Sequence, residues 1–209
     1  MKAIGALWAV LAGLCIPALQ VRADPASELD DGAARLHYAF FTADARAMEN
    51  AIALVTQLEA PANLPGMKEY YAAYGYWKLA QIQTDSKTAA RGTISKATQA
   101  CEKQAGLAIA QDRRMAEAHA IAAACAGLAP GLTSSGCAKS RSLRTALELD
   151  PANPRVMLID VLCTRAGSNP GAETEKLRTL VAAFEASPPS RPGKHDWGQA
   201  EALVLLGEN

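Results

Sequence analysis

Two stretches, Ala108–Cys125 (AIAQDRRMAEAHAIAAAC) and Ala146–Cys163 (ALELDPANPRVMLIDVLC), align without a gap at a constant offset of 38 residues. Ala108/Ala146, Asp112/Asp150, Ile121/Ile159 and Cys125/Cys163 are identical in this register. A period between about 20 and 50 residues marks a solenoid of stacked supersecondary units, each too small to bury its own apolar face. Chains of this kind generally present a surface that holds another molecule.

Outward from the repeat, the apolar spacing is helical throughout and no alternating run of β-branched and aromatic residues reads as a strand. The expected class is all-α. Helices are expected over residues 24–41, with Leu29, Ala33, Leu36 and Phe40 on one face, and over 44–58. Pro61 and Pro65 punctuate. Further helices follow over 67–82, 86–111 and 114–127. A sixth begins after the loop 128–134, which contains Pro130 and Gly131, and ends at Asp150-Pro151. Two more cover 154–166 and 172–185. Beyond Pro188, Pro189, Pro192 and Gly193, Asp196 caps a short terminal helix running to Leu206. Pro154 suits a first helical turn because its φ is fixed and its missing N–H has no partner there.

Leu143, Ala146 and Pro151 resemble the closing part of a tetratricopeptide repeat (TPR), in which a small residue, an apolar residue and a terminal proline let two helices touch and then stop. Leu180, Ala183 and Pro188 repeat the triplet 37 residues on. Tyr70–Trp77 resembles an aromatic-rich first helix of the motif, with Gly75 at a point of close approach. Asp196-Trp197-Gly198, followed by Ala200 and Glu201, resembles one more such helix, unpaired and acting as a cap. The chain departs from the pattern at Asp160 and Thr164, where large apolar residues are usual, and in a period longer than the 34 residues of the TPR by three or four. The resemblance is to exported bacterial TPR-like proteins. It implies about four helix pairs plus a C-terminal capping helix, and a scaffolding role.

The first residues read as an export signal: Lys2, an apolar run from Ala3 to Ile16, and Val21-Arg22-Ala23 in the small-x-small pattern that precedes cleavage. Pro17 and Gln20 interrupt the run before it reaches the roughly 20 apolar residues of a membrane span. Cys15 follows Leu14, whereas lipid attachment calls for a small residue in that place. Cleavage after Ala23 removes Lys2 and Arg22 and no acid from a chain with 21 bases and 21 acids, which leaves residues 24–209 nearly neutral as a single domain. No concentrated basic face points to nucleic acid.

Four cysteines remain: Cys101, Cys125, Cys137 and Cys163. In an exported chain they are compatible with two disulfides, for which there are three connectivities. Antiparallel neighbouring helices favour Cys101–Cys125 with Cys137–Cys163. A hairpin bridge Cys125–Cys137 and free buried thiols are the alternatives. One detail opposes the favoured pairing: at the offset of 38, Cys101 corresponds to Lys139 and not to Cys137.

His37, His119 and His195 have no second ligand at metal-binding spacing, no CxxC occurs, and neither a nucleophile elbow nor a phosphate loop is found. Cofactors and catalysis are therefore not expected. Arg91, Lys96, Glu102 and Lys103, with Lys87, read as a solvated helix face. Arg155 reads either as a ligand-binding residue or as the partner of a structural ion pair with Asp150 or Asp160. The candidate contact surface is the aromatic cluster of Tyr71, Tyr74, Tyr76 and Trp77, because one helix carrying five aromatics with Tyr70 cannot bury them all, and such side chains are common interaction hot spots. The competing reading makes Tyr70, Tyr74 and Trp77 a packing face. The expected function is a non-catalytic scaffold of the bacterial envelope, periplasmic or secreted, holding a peptide or protein in a groove. A pocket inside a closed superhelix and a self-associating structural protein are the alternatives.

Overall fold

The computed structural model describes residues 24–86, 90–128, 134–165, 169–187 and 196–208, all helix and connecting turn with no strand. Residues 1–23, over which an export signal is expected, Lys87, the Pro130-Gly131 loop, the prolines at 188, 189 and 192, Gly193 and His195 lie outside the described residues.

The helices begin where local chemistry starts them. Pro25 opens α1 (Pro25–Phe41), and Asp44 accepts from the Ala47 N–H at 2.9 Å to open α2 (Ala45–Gln57). α3 is Met67–Asp85, α4 is Arg91–Gln111 and α5 is Ala116–Gly127. α6 (Ser134–Ala138) and α7 (Arg141–Leu149) replace the single sixth helix expected from the sequence. The break falls at Ser140, whose side chain accepts from the Leu143 N–H at 3.1 Å and so starts a new helix. Asn153 with Pro154 opens α8 (Pro154–Thr164), and Asn169 with Pro170 opens α9 (Pro170–Glu185). α10 is Gln199–Gly207.

Packing follows chain order. α1 pairs with α2, α3 with α4, α5 with α7 across α6, and α8 with α9, while α1, α3, α5 and α8 form a row in which each touches the next. The second helix of each pair also touches the first helix of the following one, through α2–α3, α4–α5, α7–α8 and α9–α10.

α3 lies at the centre of this arrangement. It is covered on several sides: Tyr70, Tyr71, Ala72, Ala73, Tyr74, Trp77, Leu79 and Ala80 are all buried. Gly75 permits the closest approach, since a Cβ there would stand 2.7 Å from Ile52 and 2.8 Å from Leu36. α5 is buried for a complementary reason: its alanines are small enough to be packed from several sides, and Ala118, Ala120, Ile121, Ala123 and Cys125 are inaccessible.

Cys101 is joined to Cys125, linking α4 to α5, and Cys137 to Cys163, linking α6 to α8. The two bridges are not equivalent by repeat. Cys137 sits on the extra helix α6 rather than on α7, which accounts for the two-residue mismatch in the sequence register.

Candidate functional site

Tyr70, Tyr74 and Trp77 recur at i, i+4 and i+7 and so share one face of α3. That face is covered by the chain's own C-terminal segment. Trp197 inserts there with its ring centroid 4.9 Å from that of Tyr74 and 5.9 Å from that of Trp77, and is itself buried. Gly198 makes the insertion possible. Its φ is +98°, and a Cβ would stand 2.8 Å from Phe184 and 2.9 Å from Leu158.

A polar chain ties the segment to three helices. The Trp197 indole N–H donates to Tyr70 Oη at 2.7 Å, and the Tyr70 hydroxyl donates to Glu117 Oε2 on α5 at 2.5 Å. Glu117 Oε1 accepts from Asn153 Nδ2 at 3.1 Å and from Arg155 Nη1 at 3.3 Å, both at the start of α8. Arg155 pairs in turn with Asp196, the residue before Trp197, which closes the circuit. Burial lowers the proton affinity of the Arg155 guanidinium, but Glu117, Tyr70 and Asp196 outweigh it and hold the cation firmly charged. Burial, then Glu117, pushes the Tyr70 hydroxyl well above its ordinary range.

A second anchor lies further along α3. Lys78 is wholly inaccessible; its Nζ lies 2.6 Å from Glu201 Oε2 on α10, 3.7 Å from the centre of the Trp77 ring and 4.1 Å from that of Phe40. Burial lowers the pKa of the ammonium, and Glu201 opposes that shift. The rings add cation–π attraction. Two buried oxygens here have no hydrogen-bond partner among the described residues, Tyr74 Oη and Glu201 Oε1.

Two clefts flank the covered face. One, of about 380 Å³, lies where α3, α5 and α8 begin and includes Asn63, Tyr71, Asp112, Glu117, Asn153 and Arg155. The other, of about 220 Å³ and mainly apolar, runs beside Trp77, Ile159 and the Cys137–Cys163 bridge.

Of the two readings of the aromatic cluster, the burial of Tyr70, Tyr74 and Trp77 is that of a packing face. Tyr71, Tyr74 and Trp77 are buried, because Trp197 and the neighbouring helices cover them; Tyr76 is half-buried at the edge of the core. Arg155 pairs with Glu117 and Asp196 rather than with Asp150 or Asp160, since the turn before α8 aims it across the helix row. His119 is half-buried and its ring bonds the Arg113 carbonyl at 3.1 Å, while Arg91, Lys96, Glu102 and Lys103 are exposed. The sequence reading missed Lys78, Glu117 and Glu201 as site residues; nothing local marks them. Among the described residues, no group of His, Cys, Asp or Glu could hold a metal ion, and no helix is long and apolar enough to cross a membrane.

No protein-family model matches this chain, and no curated protein and no solved structure is similar to it. Its function has to be argued from its own geometry.

Proposed function

We propose that this chain is an exported, non-catalytic scaffold of TPR-like architecture that binds a peptide segment on the row formed by α1, α3, α5 and α8. The observation that carries this reading is the seating of Trp197. A short segment from outside the helix pairs lies on the row, held by an aromatic anchor on Tyr70, Tyr74 and Trp77 and by flanking acids on Arg155 and Lys78. This is the chemistry by which helical-repeat surfaces hold peptides: one buried aromatic, with charged contacts around it that fix register. The succession of helix contacts accords with stacked helical pairs, and two disulfides accord with the oxidising envelope that the leader sequence suggests.

An enzymatic or small-ligand pocket is less well supported. In the polar cleft, the Glu117 carboxylate is taken up by Tyr70, Asn153 and Arg155, and the two Arg155 Nη groups by Glu117 and Asp196, so these charges are directed at one another.

The test is selection of displayed random peptides on the full chain and on its Trp197→Ala variant, with circular dichroism as the check on folding. Tryptophan-bearing peptides should be enriched, and more strongly on the variant, whose anchor position is vacated. Two folded proteins that enrich nothing would refute the scaffold reading.

A further inference from the structure

The contacts of the C-terminal segment define a recognition rule. Arg155 takes an acid, Tyr70 takes an indole N–H at the next position, and the packing of Phe184 and Leu158 admits only glycine after it. Lys78 then takes a carboxylate four residues beyond the tryptophan, in the first turn of α10. The Lys78–Glu201 pair is buried, whereas Asp196 is half exposed beside Arg155; a buried ion pair contributes little net stability, and its best-attested use is to fix register and partner choice. The row therefore reads acid-Trp-Gly-x-x-Glu, and Asp196-Trp197-Gly198-Gln199-Ala200-Glu201 is that sequence.

We infer that the row is a docking site for the C-terminal segment of a second copy of this chain, exchanged for its own. This rests on the scaffold reading above and names its partner. Every contact that the segment makes within one chain can be made by the identical segment of another, so exchange creates no new surface to be satisfied and leaves none exposed. The charged groups that decide it are on opposite sides: Arg155 and Lys78 belong to the row, Asp196 and Glu201 to the incoming segment. α10 also carries Leu203 and Val204 on its outer face, both more than half or about half exposed, where a paired chain can cover them.

A charge exchange tests this in the full chain. In the Lys78→Glu variant two acids meet, and in the Glu201→Lys variant two ammonium groups meet, whether the segment docks on its own row or on that of an identical copy. Mixed in equal amounts, the two variants restore both opposite-charge contacts only by exchanging segments. The expected result is a 1:1 heterodimer of twice the chain mass by light scattering, absent from either variant alone. A mixture that behaves as the sum of its parts overturns the exchange.

Should either variant fail to fold, a second measurement decides. A synthetic peptide of residues 194–209 should bind the full-length Trp197→Ala chain at least tenfold more tightly than the wild type, whose row is already filled. Equal or undetectable binding to the two folded proteins overturns the proposal. If displayed peptides unrelated to this sequence are selected while the heterodimer and the 194–209 peptide both fail, the scaffold reading stands and the exchange alone falls.

Discussion

Tyr70 and Tyr74 lie one helical turn apart, both only 1% exposed, and the structure assigns opposite signs to the loss of their hydroxyl groups. In Tyr70→Phe, Glu117 loses a charge-assisted donor, a contact of about 1.5 to 3 kcal/mol, and the buried Trp197 N–H loses its acceptor at about 1 to 3 kcal/mol. The expected destabilisation is about 3 to 5 kcal/mol, or roughly 10 °C in Tm for a domain of this size. Tyr74 Oη has no hydrogen-bond partner among the described residues, so Tyr74→Phe removes a buried polar group at the loss of no hydrogen bond and should stabilise by about 1 kcal/mol.

Urea unfolding with disulfides intact, followed by circular dichroism and tryptophan fluorescence, reads both signs if the two probes coincide. Alkaline pH supplies an independent arm. Burial, with Glu117 beside Tyr70 and Glu201 beside Tyr74, raises both hydroxyls above the usual tyrosine pKa of 10.0. The folded state therefore holds protons that the unfolded state releases, so the stability these groups lend is complete below that pKa and declines as pH rises beyond it. Tyr74→Phe should flatten that decline without weakening the protein at neutral pH. If Tyr74→Phe costs as much as Tyr70→Phe, the reasoning that separates a bonded from an unbonded hydroxyl is refuted.

Other outcomes follow from the same contacts. Lys78→Met strands the Glu201 carboxylate and should destabilise by about 3 to 5 kcal/mol, while Lys78→Met with Glu201→Leu should recover most of the loss, a coupling that a double-mutant cycle in urea measures. Gly198→Ala forces a side chain into a left-handed backbone against Phe184 and should lose more than about 2 kcal/mol in the same assay. Each disulfide closes a sequence separation of 24 or 26 residues, so Cys101→Ala/Cys125→Ala and Cys137→Ala/Cys163→Ala should each lower stability by about 3 kcal/mol on thermal melting.

What the sequence disclosed was local. Asp44 and Pro154 mark helix starts by chemistry that acts over three residues, and the structure begins α2 and α8 there, whereas α9 begins at Pro170, two residues before the expected start at 172, because Asn169 caps it. Ser140 carries a signal of the same kind, which the single sixth helix of the sequence reading passed over. The site was not legible in this way. Trp197 meets Tyr70 across 127 residues and Lys78 meets Glu201 across 123, and no periodicity reports a contact at such separation. Five aromatics on one helix could be read as too many to bury only while α3 was taken to have one covered side. The C-terminal segment supplies another. A lysine is exposed by default, and only Glu201, Trp77 and Phe40 together make the inaccessible site of Lys78 tolerable.

The central claim is that Trp197 occupies the row of first helices. Its most direct test is nuclear magnetic resonance of the indole N–H protons of Trp77 and Trp197 in the oxidised chain, assigned by Trp197→Phe. The account predicts a Trp197 indole proton that exchanges slowly with solvent and shows nuclear Overhauser effects to the rings of Tyr70 and Tyr74. A Trp197 indole that exchanges at the rate of a free peptide, with no such effects, would contradict it.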